Sequence, residues 1–282
     1  MKTIVITVIL RSLMHNYMAK LKKNIFICIS FIALFIALVL PFTLTTSYSV
    51  SEGGKKLDSA PVMITPDFAS IEDVNQKKQA FFDYIRQGLD LENHRILNER
   101  EHLLEFNLHS ASSEDLSYAK RLGRLYSYNV PASGVDQAWI DEMLLRVNVL
   151  PEALVLVQAA NESAWGTSRF ATKGNNFFGQ WCYQEGCGII PLQRPSGSTH
   201  EVASFQSTQE SIHRYFMNVN RNRAYLELRQ IRAELEGQGT DLLSSAAAVS
   251  LTNGLLRYSE RGEDYVNDLQ AMIRHNQSFW IQ

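Results

Sequence analysis

Glu162 closes a run, Pro151 to Ala164, that is apolar except for Glu152, Gln158, Asn161 and Glu162 itself. Such a run reads as a helix buried on most sides, opened by a proline whose missing N–H costs nothing in a first turn. A carboxyl near the far end of that helix meets the negative end of the peptide dipoles, and partial burial strips water from its anion. Both effects raise its pKa. A carboxyl that keeps its proton near neutral pH can hand it to a departing oxygen, so Glu162 is a candidate general acid. A lone glutamate at a helix end is more commonly a cap or an ion-pair partner; here the surrounding residues favour chemistry.

Those residues are Gln158-Ala159-Ala160-Asn161-Glu162-Ser163-Ala164-Trp165-Gly166, followed by Asn175-Asn176-Phe177-Phe178-Gly179. The pair of motifs resembles the glucosaminidase-type peptidoglycan hydrolases, glycoside hydrolase family 73, the bacterial Bax proteins among them. The resemblance covers roughly Asp136 to Asn276. It implies that the E-S-x-W-G motif supplies the acid, Glu162, and that N-x-F-G lies at the edge of a sugar cleft. It further implies hydrolysis of the β-1,4 bond after N-acetylglucosamine in a peptidoglycan glycan strand, with no metal or organic cofactor. The implied fold is mainly α: a lysozyme-like α+β domain with a small β-hairpin lobe. Trp165 and Phe178 offer flat apolar faces to sugar rings, Asn176 belongs to the same substrate-binding group, and Gly166 is expected to end the helix with a positive φ.

Conventional hydrolysis needs a second carboxylate, as base or nucleophile, unless the acetamido group of the substrate attacks instead. Family members place a second glutamate in the hairpin lobe. Glu201, on an apparent strand, is the preferred candidate here, and Glu185, at a loop tip, is the other. Tyr258 and Tyr265 resemble the late tyrosine motif of the family, although the usual Tyr-Ala-Thr-Asp run is replaced and the second tyrosine is displaced by one position. Tyr258 is assigned to the catalytic group and Tyr265 to substrate binding. His200 and His213 lack partners at ligand spacing and read as ordinary side chains.

The elements that must hold these groups are mostly helical. Apolar residues recur at helical spacing from Ile71 to about Leu108, with a break expected near Gly88, and again from Ser113 to Tyr126 behind Ser112 and Asp115 as a start signal. These form an N-terminal helical extension over 67–130. The catalytic domain then spans 131–282, with helices from Asp136 to Val149 and from Ser207, capped by Glu210, to about Asn276. Glycines and prolines between Asn175 and Phe205 interrupt the helical period and mark the small lobe.

Hydrophobic residues make up 45% of the chain, enough for a proper core, and a formal net charge of -2 gives no field to steer it onto nucleic acid. Ile25 to Leu40 carries no charge and follows Lys20, Lys22 and Lys23. With its continuation to Leu44 it reads as an uncleaved signal anchor over 25–44, behind a cytoplasmic stretch 1–24 and ahead of a linker 45–66. The remainder is then periplasmic, held at the inner membrane, and monomeric. Export gives Cys182 and Cys187 an oxidising compartment, and their spacing suits a disulfide closing a short loop. Cys28 falls in the anchor. Two other classes of function stand beside hydrolysis: a silent glycan-binding scaffold, and an amidase cutting the stem peptide with Cys182 and His200.

Overall fold

The structure, a computed structural model, describes residues 61–192, 194 and 197–280. The signal anchor over 25–44, the stretch before it, Cys28 and the linker as far as residue 60 lie outside the described residues. Among the described residues no helix is long and apolar enough to cross a membrane.

The described residues are mainly helical with one small antiparallel sheet. Asp73 caps α1 (Val74–Leu104) by accepting from Gln76 N, and Phe81, Phe82, Ile85, Leu89, Ile96 and Leu103 form its buried stripe. Helix α1 runs 31 residues without the break expected at Gly88. Gly88 instead marks a close crossing: a Cβ there would stand 2.4 Å from Ile212 Cδ1 and 2.9 Å from the Gln209 side chain. Helix α2 (Ser113–Leu125) starts from a complete capping box between Ser112 and Asp115. Helix α3 (Gln137–Arg146) follows, capped by Asp136.

Helix α4 (Glu152–Ser163) is the centre of the molecule. Residues Ala153 to Ala160 are buried without interruption, as an all-round apolar sequence requires. Around it pack α1, α8 (Ser245–Thr252) and α9 (Glu263–His275). Between them in the chain come the short α5 (Arg169–Gly174), α6 (Thr208–Arg221) and α7 (Leu226–Gly237). Ser207 caps α6 through Glu210 N, but the Glu210 carboxylate reaches back to Gln206 N rather than to the cap residue. One core runs from Val62 and Phe68 through Phe177 and Phe178 to Ile273, so the helices before residue 131 share it with those that follow.

The lobe is a three-stranded sheet, not a simple hairpin. Strand β3 (Glu201–Ala203) lies between β1 (Trp181–Cys182) and β2 (Gly188–Ile189), antiparallel to both, with Trp181 opposite Val202 and Ile189 also opposite Val202. The outer strands are joined covalently instead: Cys182 and Cys187 form a disulfide across a Cα separation of 6.2 Å.

Candidate active site

Glu162 sits in the last turn of α4, where the chain reverses. Ala164, Trp165 and Gly166 take φ values of 50°, 57° and 76°, so the left-handed turn begins two residues before the glycine expected to make it. For Ala164 and Trp165 this costs roughly 1–2 kcal/mol each. Neighbouring contacts hold it: Ser163 Oγ donates to Ala159 O at 2.6 Å and accepts from Gly166 N at 2.8 Å, while Trp165 N donates to Ala160 O at 2.9 Å. The Trp165 ring is packed by Phe81 and Phe82 of α1, with centroids 5.7 and 5.2 Å away, and Lys78 Nζ stands 5.3 Å from its ring. Trp165 is thus an anchor of the turn, half-buried against α1.

The two oxygens of Glu162 have different surroundings. Oε1 accepts from the Tyr265 hydroxyl at 2.8 Å and from Asn161 Nδ2 at 3.3 Å. Tyr265 in turn accepts from Gln158 Nε2 at 3.0 Å, and Gln158 Oε1 accepts from the Tyr215 hydroxyl. A hydroxyl that accepts from an amide N–H has its own proton to give, so the chain of bonds from Tyr215 fixes Oε1 as an acceptor. When this carboxyl is protonated, the proton therefore sits on Oε2. That oxygen faces Gly179 (φ +61°), where a Cβ would come within 2.8 Å of it. Burial raises the pKa of Glu162, outweighing the Tyr265 and Asn161 hydrogen bonds, which favour the anion. Burial also pushes the phenols of Tyr265 and Tyr258 upward, with the nearby Glu162 charge adding to it at Tyr265.

The other residues singled out in the sequence have different work. Tyr258 lies parallel to Tyr265, centroids 5.7 Å apart, but its hydroxyl donates to Phe178 O at 2.7 Å rather than to the carboxyl. Tyr265, assigned above to substrate binding, is the tyrosine that touches Glu162. Phe178 is fully buried and stacks on Tyr215 at 4.2 Å, so its ring is core, not a sugar platform. Asn176 is 1% exposed and saturated: its amide donates to Gln180 O and Ala203 O, and its carbonyl accepts from Phe178 N and Gln180 N. It knits the N-x-F-G turn to the sheet, which holds Gly179 over the Glu162 carboxyl.

Glu201, the preferred second carboxylate, is 3% exposed, and its oxygens accept from Gly186 N at 3.1 Å and Gly188 N at 2.8 Å. Those bonds hold its pKa low. It braces the disulfide loop, and one of its oxygens, Cys182 Sγ and Cys187 Sγ lie within 4.8 Å of one another. Sulfurs joined in a disulfide have no thiolate to offer a metal. Glu185 is exposed at the tip of that loop. His213 contacts buried Glu92 at 3.1 Å, and His200 packs on Trp181. Gln158 and Tyr215 were not anticipated as site residues. Gln158 had a signal, a polar residue one turn before Glu162 on a helix with no room for one; Tyr215 had none.

Known proteins match this chain in keeping with that geometry. Protein bax of Escherichia coli (strain K12) is 28% identical over 221 residues, covering 78% of this chain and 77% of that protein. No solved structure matches. The family model Glucosaminidase, described as mannosyl-glycoprotein endo-beta-N-acetylglucosaminidase, matches residues 137–278, half of the chain and the whole span from α3 to the end of α9. The chain belongs to the Glucosaminidase family.

Proposed function

We propose that the protein hydrolyses the β-1,4 bond after N-acetylglucosamine in peptidoglycan, in a lysozyme-like domain outside the cytoplasmic membrane, with Glu162 as general acid. The observation that carries this reading is the division between the two Glu162 oxygens: Oε1 is occupied by Tyr265, and Oε2 is left beneath Gly179 in a carboxyl whose pKa burial raises. Oε2 protonates the departing glycosidic oxygen as its bond to the anomeric carbon breaks, and water replaces the leaving sugar at that carbon. The products are a new reducing-end N-acetylglucosamine and a chain with a free hydroxyl where the bond had been.

The displacing group is either Glu185, whose carboxyl is exposed on the disulfide-closed loop, or the acetamido oxygen of the substrate. The Glu201 carboxylate is already engaged by two backbone amides. The disulfide favours an oxidising compartment, in keeping with export behind the anchor over 25–44. It also ties up Cys182, the only thiol the amidase reading had available. Mass spectrometry of muropeptides released from purified peptidoglycan tests the proposal. Reducing-end N-acetylglucosamine that disappears with Glu162→Gln supports it; freed stem peptides point to an amidase, and no release to a glycan-binding scaffold.

A further inference from the structure

The segment that leaves Gly179 carries two aromatic side chains that the core does not use. Gln180 turns inward, donating from Nε2 to Ser211 O at 2.9 Å, and Cys182 turns to its disulfide with Cys187. Within β1, Trp181 faces opposite to Cys182, and Tyr183, the residue after the strand, is also turned to solvent. Trp181 is 50% exposed and Tyr183 76%, whereas Phe177 and Phe178 just before them are fully buried. Trp181 follows Gly179, the residue over Oε2 of Glu162, by two positions and Tyr183 by four, so the chain holds them at most about 7 Å and about 14 Å from it.

These side chains stand on braced backbone. Trp181 is paired with Val202, the His200 ring packs against the indole at 4.5 Å with an interplanar angle of 76°, and Glu201 with the disulfide holds the adjoining loop. A rigid aromatic surface loses little entropy when it is covered. Its flat faces complement the apolar C–H faces of sugar rings, while the indole N–H and phenol O–H suit the hydroxyls at the rim.

We propose that Trp181, extended by Tyr183, is a carbohydrate-binding platform on the small lobe, and that it receives the amino sugars of a β-1,4-linked glycan running outward from Glu162. The choice of a glycan rests on the hydrolase reading above and on the continuity of the platform with the Gly179 turn. It assigns to Trp181 and Tyr183 the sugar contact that the sequence suggested for Trp165 and Phe178.

Binding, not cleavage, is the test. Full-length Glu162→Gln protein is titrated with N-acetylglucosamine oligosaccharides of increasing length, following tryptophan emission and, in parallel, calorimetry. The expected result is a saturable blue shift that strengthens with chain length. Trp181→Ala, made in the same background, should lose that shift and bind about tenfold more weakly, equivalent to the 1.4 kcal/mol of one aromatic contact, while Trp181→Phe recovers most of the affinity. Unchanged oligosaccharide affinity in Trp181→Ala overturns the proposal. So does a Trp181-dependent association with phospholipid vesicles that leaves sugar binding untouched. Persistent hydrolysis by Glu162→Gln would remove the acid assignment and leave the platform standing, so the two readings fail separately.

Discussion

Tyr265 donates its hydroxyl hydrogen to Oε1 of Glu162 at 2.8 Å, and it does so because Gln158, one helical turn before Glu162, supplies the N–H that Tyr265 accepts. The Glu162 carboxyl is thereby oriented from its own helix through a residue on α9. Gln158 and Glu162 share one sequence motif, but Tyr265, the middle of the link, lies about a hundred residues further on.

Replacing Glu162 by Gln removes the transferable proton while keeping the shape. Turnover of purified peptidoglycan should fall about 10²–10⁴-fold, the range for loss of general-acid catalysis, with glycan affinity retained. The variant should also be the more stable protein at neutral and alkaline pH. A carboxyl whose folded pKa is raised by burial loses stability as pH rises from its unfolded value through its folded one, and the amide has no such loss. Melting curves against pH that superimpose for the two proteins would contradict the buried-acid assignment.

Tyr265→Phe takes away a hydrogen bond that favours the Glu162 anion. The pKa of the acid then rises further, and the alkaline limb of the kcat–pH profile moves to higher pH. Because Oε1 loses its anchor, kcat at the optimum should drop by about tenfold, in line with partial loss of positioning. An alkaline limb that stays in place or shifts downward would break the link between this tyrosine and the acid.

Gly179→Ala places a methyl 2.8 Å from Oε2 at a φ of +61°. Displacement of a reacting group by about 1 Å can cost about 10²-fold in rate, so activity should fall by that order while the near-ultraviolet dichroism of the core aromatics persists. Normal activity in this variant would mean that Oε2 is not the working oxygen.

Ala164→Gly should stabilise the protein. Ala164 is exposed with φ at 50°, and glycine relieves a strain that outweighs its added freedom in the unfolded chain by about 1 kcal/mol. For a fold of this size that is about 2–4 °C in Tm. A lower Tm would show that this turn is not held under strain.

Glu201→Gln leaves the Gly186 and Gly188 amides with a weaker acceptor. The low pKa of Glu201 means that its bracing is present above the unfolded carboxylate value and is lost as pH falls through the folded one. Limited proteolysis between Cys182 and Gly188, measured on reduced protein, should therefore accelerate in the variant at neutral pH and in the parent only at acid pH. Equal rates in both would remove Glu201 from that role.

Much of this was legible in the chain. Helix α4 declared itself by its apolar run, the α2 start by Ser112 and Asp115, and the family by the motif around Glu162. Roles that depend on which side of a side chain faces what were not legible. Trp165 and Phe178 have the composition of sugar platforms, but a ring's partners are set by elements distant in sequence: Phe81 and Phe82 for one, Tyr215 for the other. Gly88 suggested a break because glycine lowers helix propensity, and tertiary packing against Ile212 overrode that preference. Glu201 had the residue type and the strand of a catalytic base, and only the backbone of the loop reveals that its oxygens are spoken for.

The packing of Trp165 onto Phe81 and Phe82 bears on how this enzyme evolves and can be taken apart. The span that defines the family starts at residue 137, yet the turn carrying Glu162 leans on a helix that ends before it, and Gly166 lies against Phe68. Substitutions at Phe81 or Phe82 should therefore reach the Glu162 turn from outside the span that the family model matches. Residues 137–278 alone would lack the Phe81 and Phe82 wall behind that turn, and the shared core begins as early as Val62, whose carbonyl accepts from Gln209 N of α6.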